Sequence, residues 1–239
     1  MARITILHGS PRKYGAVTKL TSIAAKGVED AGGTPEIIYL YDYKIKECLG
    51  CVSDDTKYCR FPCIINDDDF NTIGKKILES DGFIMVTPVY WYSMSGIMKN
   101  FIDRLTSMEN MIFITGRSLL EGKVAGLIAT GNDSGTILAL AHMMIVLNSM
   151  GVHIPGWAIA YHHSMDDVTE DDQAVLDSYN VGYNVARLAD IVKNSGTWYK
   201  PDVDLKSLAS LANNEAEKNK AQLEERRKLF EKLLGSEKN

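Results

Sequence analysis

The sequence predicts a three-layer α/β domain: a mostly parallel sheet of five strands with helices on both faces. Three observations predict it. Short β-branched runs alternate with stretches of helical length and helical apolar spacing from residue 3 to about 193, the rhythm of β-α-β crossovers. The run Gly82-Phe83-Ile84-Met85-Val86-Thr87 is apolar without alternation, as in a strand buried on both faces. Loops rich in Gly, Ser and aromatic residues follow the first, third and fourth strands, where a parallel sheet places its ligand-binding edge.

Residues 3–7 read as the first strand. Ala16 to about Ala31 carries Val17, Leu20, Ile23, Ala24 and Val28 at helical spacing and stops at Gly32-Gly33. Residues 36–41 form the second strand, and 42–67 is a long connection. Asp67-Asp68-Asp69 supplies capping and first-turn acid for a helix to about Glu79. Strand three is followed by residues 88–96, then by a helix through Lys99–Arg104, then by a linker over 105–122. Lys123–Thr130 is the fourth strand, and a very apolar helix over 135–150 is expected to be buried or at a subunit contact. Residues 151–160 hold a fifth strand broken by Pro155, and Asp171–Lys193 is a helix. After Tyr199-Lys200-Pro201 the composition turns charged and helical without a sustained heptad stripe. The organisation expected is a domain over 1–200 with a helical extension over 201–239.

Hydrophobic residues make up 45% of the 239 and charged residues 24%, ordinary for a globular protein. A net charge of −5 argues against general affinity for nucleic acid or anionic membrane. No apolar run approaches the ~20 residues of a membrane span and no signal-peptide profile opens the chain, so a cytoplasmic location is expected.

The loop after strand one, Gly9-Ser10-Pro11-Arg12-Lys13-Tyr14-Gly15, leads into a helix N-terminus. Backbone amides, the hydroxyls of Ser10 and Thr18 and the cations of Arg12 and Lys13 gather at the positive end of that helix, which suits a phosphate. It lacks the glycines of a Walker or dinucleotide fingerprint, so an ordinary strand-to-helix turn is the competing reading. Tyr90-Trp91-Tyr92 reads either as aromatic packing under the sheet rim or as ligand contact. Three successive aromatics cannot face one way, and an exposed one at a strand end favours a site. Together with Thr130-Gly131-Asn132, these loops meet on one rim. Lys99, Asp103 and Arg104 read as surface salt bridges. His142 reads as a satisfied core residue, His162-His163 as approaching the site from the fifth strand, and Asp166–Asp172 as a solvated loop and cap. No convincing triad is present, and no side chain is needed as a covalent nucleophile.

Taken together, these segments resemble the flavodoxin-like NAD(P)H-dependent FMN reductases and, within them, the iron–sulfur flavoprotein branch. The resemblance is carried by Gly9-Ser10-Pro11-Arg12-Lys13, Cys48-Leu49-Gly50-Cys51, Cys63-Ile64-Ile65-Asn66-Asp67-Asp68, Thr87-Pro88-Val89-Tyr90-Trp91, Gly96-Ile97-Met98-Lys99-Asn100-Phe101-Ile102-Asp103-Arg104 and Thr130-Gly131-Asn132. It covers about residues 3 to 193 and leaves out the tail. It implies a flavodoxin-like sandwich with non-covalently bound FMN and an oxidoreductase drawing on NAD(P)H. Ser10, Arg12, Gly15 and Thr18 would hold the phosphate with Lys13 beside them. Pro88, Val89, Tyr90, Trp91 and Tyr92 would flank the ring, and Thr130, Gly131 and Asn132 would close its other edge. In this chain Gly15 is followed by Ala16 and Val17 before Thr18, a departure that weakens the hydroxyl's role. The acceptor implied is a flavin, a quinone or a similar small molecule, or a ferredoxin-type protein partner. A homodimer or homotetramer is also implied. The alternative is an electron carrier relaying between protein partners.

Cys48, Cys51, Cys59 and Cys63 have the spacing C-x2-C-x7-C-x3-C. Four cysteines so close together suit a cubane 4Fe–4S cluster, a structural zinc or loop-stapling disulfides, or unligated thiols in a covering loop. The iron–sulfur flavoprotein branch has its third cysteine at the position of Asp54, so the match is inexact.

Overall fold

The computed structural model describes residues 1–220 and 222–236 and divides into two compact units, Met1–Tyr199 and Lys200–Asn239. In the first unit five parallel strands, β1 (Arg3–His8), β2 (Thr34–Tyr39), β3 (Gly82–Tyr90), β5 (Val124–Gly131) and β6 (Ile159–His163), lie in the order β2-β1-β3-β5-β6. A two-residue strand, β4 (Ser93–Met94), folds back antiparallel onto β3. Flavodoxin-like topology is therefore present as the sequence predicts.

Each face of the sheet has its own apolar core. Leu7, Phe83, Met85, Leu127 and Ala129 point to the side covered by α2 (Phe70–Glu79), α3 (Gly96–Glu109) and α5 (Thr136–Ser149). Ile4, Ile6, Ile84, Val86 and Ile128 point to α1 (Ala16–Asp30) and α6 (Asp172–Val192). The period of two along each strand sends neighbours to opposite faces, and both faces are covered, so β3 is buried from Gly82 to Pro88.

Four sequence expectations change. The 105–122 linker is largely helical, because Leu105 and Met108 continue the apolar spacing of Phe101 and Ile102; α3 runs to Glu109 and a short helix, α4 (Met111–Thr115), follows. The fifth strand begins later than expected. His153 makes an isolated bridge to Val124, and regular pairing resumes only at Ile159, beyond Pro155, which has no N–H to offer a ladder. The apolar helix α5 buries Ala139, Leu140, Met143 and Leu147 but exposes Ile137, Leu138 and Ile145. His142, expected in the core, is exposed on that helix. Asp69 occupies the N-cap position of α2 without capping it, since its carboxylate accepts from Lys44 N at 2.7 Å. Asp68 instead accepts from Phe70 N at 3.1 Å.

The second unit contains α7 (Leu205–Lys218), capped by Asp204 through Lys206 N and Ser207 N, and α8 (Gln222–Ser236). Position 221, inside the helical run expected there, lies outside the described residues. Among the described residues no helix is long and apolar enough to cross a membrane.

Candidate functional site: a cleft at the carboxyl edge of the sheet

A cleft of about 530 Å³ opens where β1, β3, β5 and β6 end. That volume lies within the range of small-molecule and cofactor sites. Of the residues the sequence nominates, Ser10, Arg12, Gly15, Pro88, Val89, Tyr90, Trp91, Tyr92, Thr130, Gly131 and Asn132 line it. Lys13 and Thr18 do not. Lys13 turns away to Asp42 at 2.6 Å, with its ammonium 4.8 Å from the Tyr39 ring centre.

Thr18 braces the loop from beneath. Its hydroxyl sits 3.0 Å from His8 Nε2 and donates to the Arg12 carbonyl at 3.4 Å. His8 Nδ1 accepts from Ser10 N at 3.4 Å, and Ser10 Oγ accepts from Arg12 N at 3.1 Å. Burial lowers the His8 pKa and keeps the ring neutral, as an accepting Nδ1 requires. These bonds hold the loop while its charge stays available: the Arg12 guanidinium makes no ion pair or side-chain hydrogen bond among the described residues. Gly15 begins α1 with no side-chain cap, so the first amides of the helix are left unfilled beside Arg12.

The aromatic wall is a tight hairpin. Val89 pairs with Met94 and Tyr90 with Ser93, leaving Trp91 and Tyr92 as the connection, at φ 49° and 65°. All three aromatics are exposed, Trp91 by 93%. Packing under the rim is thereby ruled out as their role. The opposite wall is pressed against this hairpin: a Cβ on Gly135, itself at φ +85°, would lie 2.9 Å from Tyr92 Cα.

His162, expected to approach the site from the fifth strand, reaches the cleft. The sheet register places Pro88, Thr130 and His162 side by side in the last row of three strands, so the imidazole joins the cleft lining. His162 is 4% exposed; its Nδ1 is 2.8 Å from Asp171 Oδ2, and its Nε2 is buried without a partner. The same Asp171 caps α6 through Ala174 N, and the hydrogen bond from His162 is the main cause of its lowered pKa. The pairing register of β6 was the missing signal, since it depends on where pairing resumes after Pro155. The β6–α6 loop, residues 164–168, and Lys19, which is ion-paired with Asp167, complete the rim.

Away from the cleft, the four cysteines line one small cavity with Arg104 and Ser107. All four are free thiols, and Cys59 is buried. Burial first, then the neighbouring Cys51, Cys48 and Cys63, push the Cys59 thiol up to about 12. Among the described residues no group of three or more His, Cys, Asp or Glu side chains is disposed to hold a single metal ion.

Residues 2–166 match the family described as NADPH-dependent FMN reductase. The chain belongs to that family. An iron–sulfur flavoprotein of Archaeoglobus fulgidus is 31% identical over 165 residues, 69% of this chain and 70% of that protein. One of Methanocaldococcus jannaschii is 31% identical over 196 residues, 78% of this chain and 97% of its own length. The solved structure of RosB with bound 8-demethyl-8-formylriboflavin-5′-phosphate covers 90% of this chain and 88% of its own with a TM-score of 0.69; at 20% identity it speaks for the fold. This member of the FMN reductase family is a flavin-dependent oxidoreductase.

Proposed function

We propose that the cleft binds FMN, with the phosphate on Arg12, Ser10 and the open amides of α1, and the ring between the Tyr90–Tyr92 hairpin and Thr130–Asn132. The observation that carries this is the meeting of an unpaired cation, an uncapped helix N-terminus and three exposed aromatics in one cleft. A phosphate dianion takes the bidentate guanidinium and the helix amides, and a flat π-system takes the aromatic wall. When bound, the flavin supplies the hydride and electron chemistry. The chain's residues bind it, orient it and wall it from water. NADPH or NADH is the donor by family, and a flavin, a quinone or a similar molecule is the acceptor.

A second reading adds an electron-relay centre. Four thiols facing one cavity beside a buried, unpartnered guanidinium nitrogen, Arg104 Nε, are a donor set that fits a 4Fe–4S cluster. The cavity is only about 10 Å³, so the 47–64 loop would have to open for the four cysteines to hold a cluster. Free thiols also suit a reducing compartment. With a cluster the protein exchanges electrons with a ferredoxin-type partner.

Anaerobically purified protein decides both readings. Bound flavin and turnover of NADPH with added FMN or quinone support the reductase; absence of flavin after saturation with FMN refutes the cleft assignment. Iron and sulfide in the same sample support the cluster, and a flavin-only spectrum without iron removes it.

A further inference from the structure

Arg104 is a buried charge, only 1% exposed. Its side chain and that of Asp68 are both wholly shielded from solvent. The guanidinium donates to Asp68 Oδ2 at 2.7 Å, to the Lys46 carbonyl at 3.2 Å and to the Ile65 carbonyl at 3.1 Å. Its Cζ sits 4.5 Å from the Phe70 ring centre. Lys46 and Ile65 are the two ends of the segment that carries every cysteine. One planar fork therefore closes the base of the loop, which a lysine's single ammonium could not do. Asn110 Nδ2 grips the loop's middle through the Thr56 and Cys59 carbonyls at 2.7 and 2.6 Å.

One donor is left over. Arg104 Nε is buried with no partner, in a residue that lines the thiol cavity. An unpaired buried charged donor is costly, so its retention needs an acceptor. No other charged residue lines that cavity. Arg104 stays protonated because, although burial opposes its charge, Asp68 and Cys63 favour it.

We infer that Arg104 is the positioning residue and counter-charge of a dianionic tetrathiolate centre formed by Cys48, Cys51, Cys59 and Cys63, its Nε–H meeting the sulfurs when the thiols are ionised. The inference rests on the second reading above. Four thiolates around a cubane of core charge two plus leave the centre a dianion. Assembly from ferrous and ferric iron in equal amounts, sulfide and the four thiols gives that core, releases the thiol protons to solvent and changes no oxidation state. The resident cation, the one charged residue lining that cavity, then offsets part of the centre's charge.

The test uses the full chain reconstituted anaerobically with ferrous and ferric iron in equal amounts and with sulfide, in the wild type, R104K, R104M/D68N and N110A. The double variant removes both buried charges together, and a cooperative thermal transition checks that each variant folds. R104M/D68N is expected to hold the centre about 10- to 100-fold more weakly, the usual effect of losing an outer-shell partner. Its loaded cluster should have a lower midpoint potential, because the reduced, more negative state loses its cation. R104K should keep the potential near that of the wild type while retention falls, since it supplies charge without the fork. N110A loosens the same loop and should leave the potential unchanged. Wild-type retention and potential in R104M/D68N, or an equal shift in N110A, overturn the role of Arg104. A wild type that takes up no iron with sulfide overturns the tetrathiolate reading itself, and the inference falls with it.

Discussion

Helices α1 and α6 cross with their backbones almost touching, and Gly182→Ala tests how tightly that crossing is set. A Cβ on Gly182 would lie 1.9 Å from the Ala24 carbonyl oxygen, and one on Gly27 would lie 2.1 Å from that of Tyr179. Neither obstacle is a side-chain end that can swing aside. To open 1.9 Å to the ordinary 3.4 Å, the helices must part by about 1.5 Å along a face lined by Leu20, Ala24, Val28, Val181 and Val185. Overpacking of this kind costs about 3 kcal/mol, and the better helix propensity of alanine returns about 1 kcal/mol. The net loss is about 2 kcal/mol, which lowers the melting temperature by about 4–8 °C in a unit of this size. Differential scanning calorimetry on the wild type, G182A and G96A reads it directly. Gly96 has no atom within 4 Å of a built Cβ, so G96A should stay within about 0.5 kcal/mol of the wild type. A G182A protein that melts with the wild type or above it would refute the argument. Displacement also reaches the cleft, because α1 begins at the loop proposed to hold the phosphate and α6 begins at the aspartate holding His162; FMN affinity should fall with stability.

The remaining predictions concern charge and hydrogen bonding. Arg12→Ala should weaken FMN binding about 10- to 100-fold, the worth of a charge-assisted contact, as read by quenching of flavin fluorescence; an unchanged Kd dismisses the phosphate assignment. His162→Gln keeps a donor but breaks the tie to Asp171, and should raise the Kd for FMN severalfold; no change in flavin affinity or spectrum removes the residue from the site. Lys123, buried and donating to the Leu78 and Ser80 carbonyls, has its pKa lowered to about 8 by burial. The unfolded chain therefore binds the extra proton between about pH 8 and the usual lysine value of about 10.4, so stability contributed by this group rises with pH across that window. Chemical denaturation of the wild type against Lys123→Met should show the wild type gaining relative to the variant from pH 7.5 to 10, and a constant difference would dispose of the claim.

Much of the layout was legible in the residues because it depends on period and punctuation. Gly82–Thr87 could only be an interior strand, Gly32-Gly33 could only end a helix, and three small-residue loops at the ends of parallel strands had to share an edge. Side-chain destinations were less legible. Lys13 and Arg12 are neighbours with the same charge, and only the position of Asp42 after β2 decides which one stays free for the cleft. Arg104 looks like a surface helix residue beside Lys99 and Asp103, which do pair with each other at 2.7 Å. Its burial follows from how the 42–69 segment packs over α3, which local spacing does not encode. His162 was legible as a residue near the site, but not its row beside Thr130, since Pro155 obscures where the last strand takes up its register.

The turn between Val89 and Met94 repays a closer look. A two-residue hairpin with both connecting positions at positive φ ordinarily takes Asn-Gly, for which the conformation is nearly free. Here Trp91 and Tyr92 occupy those positions, and each bulky side chain adds a penalty of about 1–2 kcal/mol. Swapping in Asn-Gly would therefore harden the fold while stripping the cleft of its two outermost rings. The chain keeps the costlier pair, so with the flavin ring placed as proposed, its thermal ceiling and its hold on that ring are set against each other at a single bend, and a search for hardier variants of this enzyme should expect its easiest gains there.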